Sequence, residues 1–537
     1  MPEHPPDAQT LLSDDGIRRM TSEGVSPNDS LQPHHGEMVP PAERRRFDDS
    51  LMLDGVYGGE EDITALTRST SQMQSIRLRR TPVWGATANT IAFMCVPRSV
   101  PACFKETGWV FGVAFLLYST AVTYDTGLLL GTVCNELQAS APRSFPALAA
   151  EAAERMAARS GRDAQQQARW RSIGSIVVGA LQHTCYYLTG VAELIYFEQF
   201  FGQLFTESAL CQWQWLLIVG LLCLPVVQVP SFHDTRYAAL LFGLLPLVLN
   251  VGVFLYEVVA VKPWLCAPGP TRDLWPKSAP HAAIGLSAFA YAFGGHGLYP
   301  EQIREMAQPQ RWPRVMAYTY AFTVPLYWVC GLLGYYGYGD FAQANINLNF
   351  PDNAANRLSI AVQAVQELFF VLDSDLVVML AIELAVGLDP SACAQPKWRG
   401  VVSPWLGRLG LRSAFLASQI FCAQMLLAGE GDTLLSLQSL TASVGMVAFT
   451  YFLPYVLHAI LAPQPLSRAR KVWAAVNVAL GLVVMVAGFS SSLGDLVGSV
   501  GDAGLFAPGK CKLSYAYSPA SPSDPCNISG IPTWAVD

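Results

Sequence analysis

Long apolar stretches alternate with short polar segments between residues 84 and 490 of this 537-residue chain. Eleven stretches approach or exceed the roughly 20 residues that an α-helix needs to cross a bilayer. They lie at 84–103, 108–134, 173–200, 213–229, 236–260, 281–300, 315–336, 358–386, 411–428, 433–460 and 472–490. The pattern predicts an all-α membrane protein with about 11 transmembrane helices.

Two polar tails flank this apolar region. Residues 1–80 are polar, contain proline and have few aromatic residues, which is typical of a disordered cytosolic tail. Residues 81–492 are then the predicted transmembrane core, and residues 493–537 are predicted to form an extracellular or lumenal tail.

The charges beside the spans predict the orientation. With the N-terminus in the cytosol, 21 lysines and arginines lie on the cytosolic side and seven on the other side. Because basic residues accumulate in cytosolic loops, we predict a cytosolic N-terminus and an extracellular C-terminus. A glycosylation sequon at Asn527 and a possible Cys511–Cys526 pair agree with an outer C-terminal tail. The plasma membrane is the preferred location, and an internal membrane stays open.

Composition excludes several classes of protein. Apolar residues make up 52% of the chain and charged residues 14%, against about 25% charged residues in soluble domains. The basic residues lie in short clusters beside the spans, so we expect no nucleic-acid binding. No cysteine pair has C-x-x-C spacing and no phosphate-binding loop occurs, so we expect neither a metal nor a cofactor. An enzyme is not indicated, and the oligomeric state is left open.

One apolar stretch contains a glycine-rich break, in the run YAFGGHGLYPEQIREM at 291–306. Backbone at membrane depth is tolerated without helical hydrogen bonds only where it faces protein or a water-filled cavity, and broken helices form the substrate sites of many transporters. We expect Gly294 and Gly295, with Gly297, to provide positive φ angles and close approach. His296 is predicted to face the cavity, where an ordinary pKa of about 6.5 suits proton exchange. Alternatively, it bonds only to the freed carbonyls.

Four runs carry a resemblance to a known family: AFGGHGLYPEQIREMAQPQRWPRV at 292–315, VPSFHDTR at 229–236, GYGD at 337–340 and GDAGLF at 501–506. Together they resemble the amino acid/auxin permease family, most closely its plant auxin influx carriers, within the amino acid–polyamine–organocation superfamily. The resemblance implies an inverted-repeat transporter fold with broken first and sixth helices. It implies proton-coupled import of a small carboxylate-bearing solute, most similar to indole-3-acetic acid or a related aromatic acid. His296 would then contact the substrate carboxylate or take part in proton coupling.

Further substrate contacts are predicted in the first span and beside the glycine-rich break. Arg98 lies between two prolines, where it would bind an anionic substrate, pair with an internal acid or extend to the outer surface. Asn89 and Thr90 would offer polar contacts before the break, or would only pack between helices. Phe293 would face an aromatic substrate, or would only pack.

Four acids lie within predicted spans: Glu193, Glu198, Asp373 and Asp375. A proton-coupling role is expected for one of them, with Glu193 and Asp375 preferred; the alternative is interhelical hydrogen bonding. Glu193 stands where the auxin carriers usually have glutamine, so it would also suit a substrate ammonium. A proton- or sodium-coupled permease for neutral amino acids is therefore the second hypothesis. A sensor that keeps the fold without moving solute is the third.

Overall fold

The structure is a computed structural model that describes residues 81–137, 144–205, 208–229, 236–262, 264, 270–350, 353–386, 388, 404–427, 433–462 and 466–503. Within these ranges the chain forms 14 α-helices and no β-strand, so the all-α prediction is confirmed. The helices are α1 (Val83–Met94), α2 (Val100–Glu136), α3 (Phe145–Arg159), α4 (Ala164–Leu204), α5 (Gln212–Val226), α6 (Leu245–Val261), α7 (Ala279–Ala292), α8 (Tyr299–Glu305), α9 (Trp312–Tyr338), α10 (Ala354–Ala385), α11 (Pro404–Leu426), α12 (Thr433–Thr441), α13 (Leu453–Leu461) and α14 (Arg468–Ala503).

The predicted tails fall mostly outside the described residues. Residues 1–80 lie outside them, as do Cys511, Cys526 and the sequon at Asn527. The last helix, α14, continues to Ala503, which is beyond the start of the predicted C-terminal tail.

Fewer helices than the predicted 11 pass a strict test for a membrane span. In the described ranges five helices are long and apolar enough, or six if a pair bent by 45° around α12 and α13 counts as one span. α4 and α10 are 41 and 32 residues long, but both carry buried acids that lower their hydropathy. The multi-pass character is thus clear, whereas the count of 11 is not confirmed.

The first break separates α1 from α2. α1 ends at Met94, and a short 3-10 turn at Pro97–Ser99 leads into α2. Pro97 has no N–H to donate and disfavours helical geometry at Val96, which explains the interruption at this point. α2 kinks again at Gly108, whose φ of 69° is in the left-handed region. A side chain there would also meet the backbone of Trp275, 2.8 Å from its Cβ.

The second break separates α7 from α8 and coincides with the glycine-rich run. The chain makes a 3-10 turn at Gly294–Leu298 before α8 begins. Because a 3-10 turn has negative φ angles, none of its glycines adopts a positive φ, and that part of the prediction is wrong. The close-approach part is correct. A Cβ on Gly294 would lie 2.3 Å from the sulfur of Met446, and one on Gly297 would lie 2.3 Å from the hydroxyl of Tyr186.

The two breaks are held together by Tyr327 of α9. Its hydroxyl contacts the carbonyl oxygens of Met94 and Ala292, which end α1 and α7, and accepts a hydrogen bond from the amide of Val96. Phe293 packs edge-on against the same ring, with centroids 4.9 Å apart. One side chain thus satisfies backbone groups that both breaks leave free.

Candidate functional site

A small cavity lies between the two breaks. Its volume is about 20 Å³, which is enough for roughly one water molecule. The first break, α4, α7, α10 and the turn after α12 contribute to its lining, which consists of Phe93, Val96, Thr189, Glu193, Tyr291, Gly294, Phe370 and Met446. Glu193 is the ionisable carboxylate of this lining. Any organic substrate is larger than water, so side chains around the cavity must move before one binds.

A buried cluster of charges lies beside this cavity. Arg98 in the first break is 9% exposed, and its Nη2 is 3.1 Å from Oε2 of Glu193. Its Nη1 bonds to Oε1 of Glu367 on α10. The guanidinium also covers the ring of Tyr196, 3.8 Å from the centroid, which adds a cation–π contact. Of the environments expected for Arg98, pairing with internal acids is the one observed.

Glu193 connects the charge cluster to the cavity. Its Oε2 accepts from Arg98, and its Oε1 accepts from the hydroxyl of Tyr291 on α7 at 2.8 Å. Both oxygens of Glu193 therefore act as hydrogen-bond acceptors.

Glu367 is the functional candidate that the sequence reasoning missed. It is fully buried, and its Oε2 has no hydrogen-bond partner among the described residues. The signal that selected Asp373, an acid inside an apolar span, also applies to Glu367, only six positions earlier. Its pairing with Arg98 was not visible, because 269 positions separate the two residues.

His296 packs against α2 and does not line the cavity. Its Nε2 lies 2.8 Å from the carbonyl oxygen of Thr123 and 3.2 Å from Oγ1 of Thr126. Its ring centroid is 4.4 Å from that of Tyr299. A neutral imidazole with its proton on Nε2, donating to the Thr123 carbonyl, fits these contacts. The bonded carbonyl belongs to Thr123 within α2 and not to the glycine-rich break, so the contact differs from both expectations for His296.

The other predicted substrate contacts divide into two groups. Gly294 lines the cavity, whereas Gly295 contacts Met94 and Tyr299 behind it. Asn89 and Thr90 are buried in α1 before the break, away from the lining.

The remaining predicted acids lie outside the cavity lining. Asp375 accepts from Nε2 of Gln419 on α11 at 2.7 Å. Asp373 and Glu198 are fully buried, and neither has a hydrogen-bond partner among the residues described. The structure thus brings together Arg98 and Glu193 from the predicted set and leaves these three acids apart from them.

A polar chain leads from the charge cluster to the segment between α9 and α10. Gln363 accepts from Arg98 at 3.4 Å and donates to Oδ1 of Asn347 at 2.6 Å. Asn347 belongs to the 3-10 turn Ile346–Asn349, which lies just before α10. The segment between α9 and α10 is therefore linked to Arg98 of the charge cluster by hydrogen bonds through Gln363.

Two broken helices around a cavity with a buried ion cluster are the architecture of a solute transporter. The model of the transmembrane amino acid transporter protein family matches residues 83–493. The chain belongs to this family. Its long apolar helices are accordingly those of a membrane-embedded member of this family.

Named relatives of this transporter are distant plant proteins. It is 23% identical over 407 residues to GABA transporter 1 of Arabidopsis thaliana, covering 72% of this chain and 85% of that protein. It is 24% and 22% identical to amino acid transporters AVT1D and AVT1C of the same plant, over 47% and 65% of this chain. These matches span only 43% and 61% of the lengths of those two proteins.

Solved structures show a weaker similarity. A manganese transporter from Eremococcus coleocola is 14% identical, with a TM-score of 0.45 over 90% of this chain and 96% of its own. MHP1, a nucleobase-cation-symport-1 family transporter, is 12% identical, with a TM-score of 0.40 over 84% of this chain and 97% of its own.

Proposed function

We propose that this transporter imports zwitterionic amino acids together with protons. In this proposal Glu193 accepts the substrate ammonium and Glu367 carries the proton. The observation that supports it is the buried Arg98–Glu193–Glu367 cluster beside the cavity between the two breaks.

The charge of the cluster argues for a cationic partner. One guanidinium faces two carboxylates, so the cluster has a net charge of −1 when both acids are ionised. An uncompensated charge at membrane depth costs several kcal/mol. A bound zwitterion adds no net charge, so the cluster still needs one proton to become neutral. In the proposal this proton enters and leaves together with the zwitterion.

The two acids have different contacts, which supports different roles for them. Both oxygens of Glu193 accept hydrogen bonds and one faces the cavity, so an ionised Glu193 suits a substrate ammonium. Glu367 has an oxygen without a partner among the described residues, where a proton can be held. This assignment keeps Glu193 as the partner of a substrate ammonium, as in the second hypothesis, and gives Glu367 the proton-coupling role that was predicted for Glu193 or Asp375.

The rest of the site suits a neutral amino acid. α2 begins at Val100, shortly after Val96 of the cavity wall. The N-terminal amides of a helix favour a substrate carboxylate. The other lining residues are uncharged, so they favour an uncharged substrate side chain. The names of the relatives, amino acid and GABA transporters, are consistent with a zwitterionic substrate.

An aromatic acid such as indole-3-acetic acid fits this cluster less well. As an anion it would raise the uncompensated charge to −2, so import would need two protons. We therefore prefer the amino acid over the auxin substrate that the sequence resemblance implied.

The proposed direction is from outside into the cytosol, with a cytosolic N-terminus and the plasma membrane as location. Cys211, between α4 and α5, is disulfide-bonded, which requires an oxidising compartment. The predicted orientation places that segment on the outer side, so the disulfide supports it.

Uptake in Xenopus oocytes tests the proposal. Labelled neutral amino acids, GABA and indole-3-acetic acid are supplied at pH 5.5 and 7.5, with and without sodium, and water-injected cells correct for passive entry. We expect saturable amino acid or GABA uptake that rises at pH 5.5 without sodium. Uptake of indole-3-acetic acid alone, or uptake that requires sodium, would contradict the proposal. Binding without accumulation would favour a sensor.

Two isosteric variants separate the proposed roles. Glu193→Gln removes the ammonium acceptor, so KM for amino acids should rise at least tenfold, since a buried charge partner contributes about 2–5 kcal/mol. Glu367→Gln neutralises the cluster without a proton, so KM should change little while the pH dependence flattens. The assignment is wrong if the two variants exchange these effects.

A further inference from the structure

A second, larger concavity lies outside the transport site, along α1. It is a groove of about 700 Å³, which is within the range of small-molecule sites. Its walls come from α1, the turn before α6, the start of α9 and the segment before α9. The lining residues are Pro82, Val83, Trp84, Thr87, Ala88, Ile91, Leu240, Leu244, Ala307, Gln308, Arg311 and Tyr318. The walls are predominantly apolar, and Arg311 supplies the charge.

The basic character of the groove extends along α9. Arg311 and Arg314 are exposed, and their spacing with Tyr318 puts all three on one face of the helix. Neither arginine forms an ion pair within the described residues. The groove therefore combines an apolar wall with two positive charges at the end where α9 begins.

Aromatic residues place this end of the groove at a membrane interface. Trp84 is 46% exposed and contacts Tyr237, with ring centroids 5.8 Å apart. The guanidinium of Arg236 lies 4.8 Å from the Tyr237 ring centroid. Exposed tryptophan, tyrosine and arginine together are typical of the headgroup level of a bilayer. In the proposed orientation this is the cytosolic leaflet.

We propose that the groove binds an anionic phospholipid of the cytosolic leaflet, with its phosphate at Arg311 and Arg314 and an acyl chain along α1. The occupant is a lipid because the walls are predominantly apolar and the groove is open to the surface beside helices long and apolar enough to span a membrane. It is anionic because basic sites between helices at the cytosolic surface bind acidic headgroups. The leaflet rests on the proposed orientation, but the binding itself does not depend on transport.

Native mass spectrometry of the full-length protein from nanodiscs of equal dioleoyl phosphatidylglycerol and dioleoyl phosphatidylcholine tests the site. We expect preferential retention of phosphatidylglycerol in the wild type. Arg311→Gln and Arg314→Gln should each lower that retention about fivefold. Arg169→Gln is the matched control, because Arg169 is an exposed arginine on α4 outside the groove.

A second pair of variants tests the apolar wall. Leu240→Trp fills the groove and should reduce phosphatidylglycerol retention, whereas Leu241→Trp, at an exposed position outside the lining, should not. Equal retention of both lipids would overturn the proposal, as would equal losses in the groove and control variants. Retention that inorganic phosphate abolishes would assign the site to a free anion instead. None of these results depends on the transported solute.

Discussion

At the scale of single residues, the proposed proton coupling depends on the balance of charge around Arg98. Arg98 pairs with two buried carboxylates, Glu193 and Glu367, so one guanidinium faces two acids. Under the proposal, changing the guanidinium therefore changes how readily these acids bind protons.

We predict that Arg98→Gln shifts the pH profile of uptake towards higher pH. The guanidinium favours the ionised forms of both acids, so without it they bind protons more readily and stay protonated to higher pH. Arg98→Lys keeps the charge and should keep the position of the profile. Its uptake should fall about tenfold, because an ammonium cannot replace the forked contacts and the stacking on Tyr196. Uptake between pH 4.5 and 8, normalised to surface protein, measures both.

The comparison of these two variants is informative because they differ in charge at one position. Identical pH profiles for Arg98→Gln and Arg98→Lys would show that the cluster does not carry the coupled proton.

At the scale of structural elements, the sequence predicted where the two helices break better than it predicted which side chains lie beside the breaks. The glycine-rich run and the prolines around Arg98 are local signals, and both breaks form where those signals lie. The direction of His296 depends on how the 3-10 turn rotates the ring towards α2, which no local pattern encodes. The pairing of Arg98 with Glu367 depends on helices distant in sequence.

His296 is predicted to position the second break. Glutamine can donate from its amide to the Thr123 carbonyl as the imidazole does, so His296→Gln should retain at least about half of wild-type uptake and the same pH dependence. His296→Ala removes this hydrogen bond, at a cost of about 0.5–1.5 kcal/mol, and should lower both uptake and Tm. If His296→Gln loses pH dependence while keeping its Tm, the imidazole itself carries the proton.

Close packing at Gly297 predicts a loss of Tm that a second substitution, at Tyr186, should partly restore. Gly297→Ala brings a methyl group against the Tyr186 hydroxyl, so Tm should fall by an amount that corresponds to about 1–3 kcal/mol. Tyr186→Phe removes that hydroxyl, which has no hydrogen-bond partner among the described residues. The double variant should therefore recover part of the lost Tm. Additive losses would contradict close packing as the reason for glycine.

At the scale of the whole molecule, we interpret two sets of contacts as closures of the proposed transport path. The polar chain through Gln363 and Asn347 connects the segment before α10 to the charge cluster. At the other closure Thr81, two residues before α1, pairs with the end of α8. The amide of Thr81 donates to Glu305 at 3.0 Å, and the amide of Ala307 donates to Thr81 at 2.9 Å. Transport requires each closure to open in turn.

We predict that a covalent link across the second closure stops transport. Thr81 and Met306 form a parallel bridge, and neighbouring strands lie about 4.8 Å apart, which is within the range of Cα distances for a disulfide. Oxidation of the Thr81→Cys/Met306→Cys double variant should reduce uptake more than tenfold, and dithiothreitol should restore it. The single variants control for the native cysteines. Undiminished uptake with the disulfide formed, as judged by mass spectrometry, would mean that α1 and α8 need not separate during transport.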